Sequence, residues 1–148
     1  MGQQQLLIII LTTVIVGTAI IVAINSFALM SQENNRDAVR QDLFAIASNA
    51  QQIYERPVSL KGISRNFNNM ENVQLISRMN IPGNRIGETI QNENAIYSIS
   101  GKAEKELRIL GVPVTGGEDI EIIVCLSPNG TWLIDINSPE ATKPDGCE

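Results

Sequence analysis

No acidic or basic side chain occurs before Glu33. Within this charge-free stretch, Leu6 to Ile24 reads LLIIILTTVIVGTAIIVAI. At about 1.5 Å of rise per residue, a helix over that run nearly spans the roughly 30 Å hydrocarbon core of a bilayer. Leu6, Ile10, Thr13, Gly17, Ile20 and Ile24 succeed one another along it, and no side offers water a polar face. A chain of 148 residues is too short to enclose such a helix in a soluble core. The hydroxyls of Thr12, Thr13 and Thr18 can return to carbonyls one turn back, so lipid need not solvate them. A cleaved secretory signal would need a cationic start and a small-residue cleavage site, and Met-Gly-Gln-Gln-Gln supplies no cation. Thr13 and Gly17 stand four apart, as do Ala19 and Ala23. That small-residue spacing lets helices approach closely in lipid, although plain lipid exposure accounts for it equally well.

The pattern changes after Asn25-Ser26 rather than stopping. Val39, Leu43, Ile46, Ala47, Ala50, Ile53 and Tyr54 recur at steps of three and four, which predicts an amphipathic helix. Arg36, Asp37, Arg40, Gln41, Asp42, Asn49 and Gln52 read as its solvated side, and Arg56-Pro57 as its stop. A single helix from about Gln3 to Glu55 would be close to 80 Å long. Its second half must bury a stripe, and the rest of the chain is the nearest partner; Val39, Leu43, Ile46, Ala50 and Ile53 are the expected helix-to-sheet contacts. Its first half has no such partner in its own chain, which leaves lipid or equivalent helices of other copies.

Residues 57–94, rich in Asn and Gly, read as a surface connection with a short helix near Asn69 to Met79 and a breaker at Ile81-Pro82-Gly83-Asn84. Strand signals follow at Ala95 to Ser100, Glu106 to Val112, Ile120 to Leu126 and Thr131 to Ile136, predicting an antiparallel meander. Ser127-Pro128-Asn129-Gly130 predicts the hairpin joining the last two strands, with Asn129 and Gly130 both suited to positive φ. Asn129-Gly130-Thr131 is also a glycosylation sequon, but the turn explains these residues without any sugar and is the favoured reading. Ile120, Ile122, Val124 and Leu126 share one strand face that could receive the helix, and Trp132 reads as a core or interface anchor. Two cysteines, Cys125 and Cys147, are spaced too widely for a Cys-x-x-Cys pair and read as one disulfide of an exported domain rather than free thiols. Closing that loop would contribute roughly 3 kcal/mol. Arg36 and Arg40 flank the apolar run and would pull that side toward the cytoplasm, but Glu33 and Asp37 sit beside them, and the disulfide places the C-terminal domain outside.

The fold class is therefore α+β: a long N-terminal helix packed on a small antiparallel sheet. The expected organisation is residues 1–56 as helix (1–31 membrane or filament core, 32–56 amphipathic), 57–94 as connection and 95–148 as sheet with a C-terminal disulfide loop. With no histidine in the chain, histidine catalysis and most transition-metal sites are unexpected. Glu118-Asp119 and Glu104/Glu106 read as solvated charges, and Gly116-Gly117 lacks the strand-helix setting of a phosphate loop. No enzyme activity, metal or cofactor is expected. A net charge of −5 offers no basic face for nucleic acid.

Taken together, the short polar N-terminus, uninterrupted apolar run, amphipathic continuation and compact disulfide-closed domain resemble the type IV pilin family, which includes type II secretion pseudopilins and archaeal filament subunits. The resemblance implies a homopolymeric helical filament at the cell surface, a membrane-inserted precursor and a pilus assembly machinery as partner. It also implies a leader ending in Gly2, removed by a prepilin peptidase ahead of Gln3. One departure stands out. The family usually has a Glu five residues into the mature chain, whereas this chain has Gln3, Gln4, Gln5 and then Leu6, Leu7; Gln offers only neutral hydrogen bonds where Glu pairs with a neighbour's terminal amine. Alternatives are a minor pilin or pseudopilin of a secretion or pilus machine, and a single-pass membrane protein whose exported binding domain never polymerises.

Overall fold

The computed structural model describes residues 2–137 and 141–147. Its longest element, α1, runs Gly2–Glu55 without interruption. The helix contributes to two compact units, one ending at Asn34 and the other spanning Asn35–Glu148.

In the first unit, every described residue from Gly2 to Asn34 is exposed. Helical hydrogen bonding continues through Gly17, because the backbone needs no side chain to close its i−4 bonds.

The second unit is built around six antiparallel strands in sequential order: β1 (Asn84–Ile86), β2 (Thr89–Gln91), β3 (Ala95–Lys102), β4 (Glu106–Pro113), β5 (Ile120–Leu126) and β6 (Trp132–Asn137). Four of them match the expected strands closely. Tight turns between neighbours explain the meander, since antiparallel strands need only short connections. At the β5–β6 turn the N–H of Gly130 donates to the Ser127 carbonyl and that of Ser127 to Thr131, both at 2.9 Å. Only Gly130 takes positive φ there (79°), not Asn129.

Cross-strand register assembles one inner face: Tyr97 opposite Gly111, Leu107 opposite Val124, and Ile109 opposite Ile122. The second part of α1 buries Val39, Leu43, Ile46, Ala47, Ala50, Ile53 and Tyr54 in the same core. Gly111 sets the approach, because a Cβ there would stand 3.0 Å from Val39 Cγ1 and 3.3 Å from the Tyr97 ring. Trp132 is half-buried and meets Tyr54 edge-on, with ring centroids 5.1 Å apart.

Residues 57–94 are more than a surface connection. Ile63, Phe67, Leu75, Ile76 and Met79 are buried in the core, with α2 confined to Asn72–Arg78. β1 and β2 extend the sheet on its β3 side, so it has six strands where four were expected. Three-residue strands are too short for period-two patterning to show.

β5 is buried on both faces, from Ile120 through Cys125, where the sequence suggested one apolar face for the helix. Its outer side is covered by the C-terminal segment 141–147: the N–H of Ala141 donates to Glu121 Oε2 (3.3 Å), that of Thr142 to Asp135 Oδ2 (3.1 Å), and Cys147 bonds to Cys125. Glu106, expected to be solvated, is 8 % exposed and lies between Arg108 (2.7 Å) and Lys143 (3.4 Å). A buried carboxylate needs such partners.

Candidate assembly surface

Between Leu6 and Ile24 the first unit presents hydrocarbon almost exclusively. Leu6, Ile10, Ile20 and Ile24 are 53–62 % exposed, and their apolar neighbours along the run are similarly bare. The polar atoms among them are already satisfied: Thr12, Thr13 and Thr18 donate to the carbonyls of Ile9, Ile10 and Ile15 at 2.8–2.9 Å. These side chains ask nothing of water. Burying each Leu or Ile is worth about 1.5–3 kcal/mol, so a run of them left in water is untenable for a soluble monomer. The helix is long and apolar enough to cross a membrane.

Beyond the backbone of its own helix and its immediate neighbours, no heavy atom of the described residues comes within 4 Å of a Cβ placed at Gly17. A mid-helix glycine costs about 1 kcal/mol relative to Ala, and no close contact among the described residues explains that cost. Thr13 lies one turn before it. Gly2 and Gln3, between which the resemblance implies leader cleavage, open α1; Met1 lies outside the described residues.

In the second unit, polar groups flank the buried stripe and fix how the helix sits on the sheet. Asp42 Oδ2 accepts three hydrogen bonds, from Asn92 Nδ2 (2.9 Å), Asn94 Nδ2 (2.9 Å) and the Tyr97 hydroxyl (2.7 Å). Burial alone would push the Asp42 pKa up, but these three donors favour the charged form and leave it below the ordinary carboxylate value. Burial, reinforced by the Asp42 charge, pushes the Tyr97 phenol well above its ordinary range. Two turns to either side, Asn35 Nδ2 donates to the Asn94 carbonyl (3.0 Å) and Asn49 Nδ2 to the Met79 carbonyl (2.8 Å).

Sequence reasoning missed this clamp, taking Asp42 and Asn49 for solvated residues. A signal was available. Asn35, Asp42 and Asn49 recur every seven residues along one edge of the apolar stripe, which places short hydrogen-bonding side chains at the rim of the buried face. Val39, Leu43, Ile46, Ala50 and Ile53 are brought together under that rim. Cys125 and Cys147 are disulfide-bonded, with Cα atoms 5.8 Å apart, well within the usual range.

Among the described residues no three His, Cys, Asp or Glu side chains converge on a point that could hold a metal ion. Glu118 lies 3.8 Å from Arg36 and is largely exposed, an arrangement worth little in water. Comparison with family models, curated proteins and solved structures returns no match. The architecture, a long N-terminal apolar helix whose continuation packs on an antiparallel sheet, is pilin-like.

Proposed function

We propose that this chain is the structural subunit of a type IV pilus-like surface filament, held in the membrane by the first part of α1 before assembly. One observation carries the reading. A single helix bears two surfaces of opposite status: residues up to Asn34 are exposed, with an uninterrupted apolar run from Leu6 to Ile24, whereas Val39 to Tyr54 bury a stripe in the core of their own domain. The buried stripe is satisfied within the chain. The exposed one requires either lipid or other copies of itself, and the same hydrocarbon surface serves both, so a subunit can leave the bilayer for a filament core without exposing that surface to water. Gly17, where a Cβ would meet no side chain of the described residues within 4 Å, suits close approach by a neighbouring helix.

In this reading the disulfide-closed domain faces the extracellular side, and Met1-Gly2 is removed ahead of Gln3. Without a Glu in the first turns, docking depends on apolar packing and neutral hydrogen bonds rather than on a carboxylate-amine pair. Material sheared from the surface of expressing cells provides the test. Electron microscopy with an antibody against the sheet domain should label filaments along their length. Label confined to membranes, or to filament ends, would replace this reading with a non-polymerising membrane protein or a minor subunit.

A further inference from the structure

We propose that Asn129 is an N-glycosylation site, and that the tip of the β5–β6 hairpin therefore faces solvent in the assembled protein. The inference rests on the exported-domain reading above. Asn129-Gly130-Thr131 is the sole Asn-x-Ser/Thr sequence in the chain with a non-proline centre, and its three residues all lie exposed at the hairpin tip.

The turn accounts for only part of this sequence. Pro128 pre-sets the first central φ, and Gly130 supplies the positive φ of 79° that closes the three-residue loop. The Asn129 side chain makes no hydrogen bond among the described residues, so its amide is presented outward. Thr131 contributes to the hairpin through its backbone carbonyl, which any residue could provide. Its hydroxyl likewise has no partner among the described residues. The two groups that the fold leaves unused are the amide and the hydroxyl that a sequon requires.

The donor would be a lipid-linked oligosaccharide. Asn129 Nδ2 attacks the anomeric carbon; the new N–C bond forms as the C–O bond to the lipid phosphate breaks. The phosphate leaves with the electron pair and Nδ2 loses a proton, so no redox partner is needed. A bulky polar chain at this position would bar the hairpin tip from subunit contacts.

Mass spectrometry of the chain purified from its native cells decides the matter. After reduction, cleavage following glutamate releases Ile122–Glu140, which should carry an added mass equal to a whole number of sugar residues. Asn129→Gln and Thr131→Ala should each abolish it, whereas Thr131→Ser should retain it. A bare peptide, simple conversion of Asn129 to aspartate, or a sugar that persists in Asn129→Gln would overturn the proposal. A bare peptide from chain whose Cys125 and Cys147 are oxidised defeats the sugar alone. A bare peptide from chain with both thiols reduced defeats the exported-domain reading with it.

Discussion

The phenol of Tyr97 on β3 donates to the same oxygen of Asp42 that two asparagine side chains from the β2–β3 turn also reach, Asn92 and Asn94. Sheet and helix are thus joined at a charged acceptor as well as by apolar packing. Removing the acceptor should hurt more than removing one donor, because Asp42→Ala leaves three donors without their partner. Tyr97→Phe should cost about 1.5–3 kcal/mol and Asp42→Ala more than that. Thermal melts of the full chain in detergent, followed by near-UV circular dichroism, measure both. Equal and negligible effects would mean that the clamp contributes nothing.

The same groups set the pH response. Asp42 and Glu106 both have folded pKa values below their ordinary 3.8 and 4.5. For Glu106, burial opposes the shift and the Arg108 and Lys143 partners overcome it. Depressed carboxylates stabilise fully above their ordinary values, and that contribution is lost as pH falls below them. Tyr97 is shifted upward from 10.0, so its contribution is complete below pH 10 and declines as pH rises beyond it. The melting temperature should therefore be level through neutral pH and fall at both extremes, and Asp42→Asn should flatten the acid limb. An acid limb unchanged by that substitution would contradict the assignment.

Two substitutions on one helix should separate its two roles. Leu43 is fully buried, so Leu43→Ala should cost about 2–5 kcal/mol of domain stability. Ile20 is 53 % exposed, so Ile20→Ala should leave the melt of the detergent-solubilised chain within about 0.5 kcal/mol of wild type. In cells, Ile20→Ala should reduce the recovery of sheared filaments. A large loss of domain stability from Ile20→Ala would contradict the division of surfaces.

Much of this was legible in sequence, and the parts that were not have a common cause. The charge-free run and the three-four spacing from Val39 to Tyr54 predict α1 almost to the residue, since long periodic patterns average over local exceptions. The sequence pattern bounds β5 from Ile120 to Leu126, yet it does not reveal the second buried face, because the cover comes from segment 141–147 through Glu121, Asp135 and Cys125. The Asp42 clamp depends likewise on residues 50 or more positions away, and local patterning cannot report such pairings. β1 and β2, three residues each, carried too little pattern to be seen.

The C-terminal cover should depend on its covalent tie. Cys125 and Cys147 are 22 positions apart, a loop for which the chain-entropy estimate gives about 3 kcal/mol. Cys147→Ser should lower the melting temperature by several degrees and raise amide exchange along the outer side of β5. An unchanged melt and exchange pattern would show that the hydrogen bonds to Glu121 and Asp135 suffice to hold the segment.

Photo-crosslinking in intact cells tests the central claim most directly. With a photoreactive side chain at Ile20, which is 53 % exposed on the apolar run, irradiation should yield a ladder of covalent multimers of this chain in the sheared filament fraction. Monomer alone, or adducts only with lipid, would show that the apolar helix stays in the bilayer and would contradict a filament core built from it.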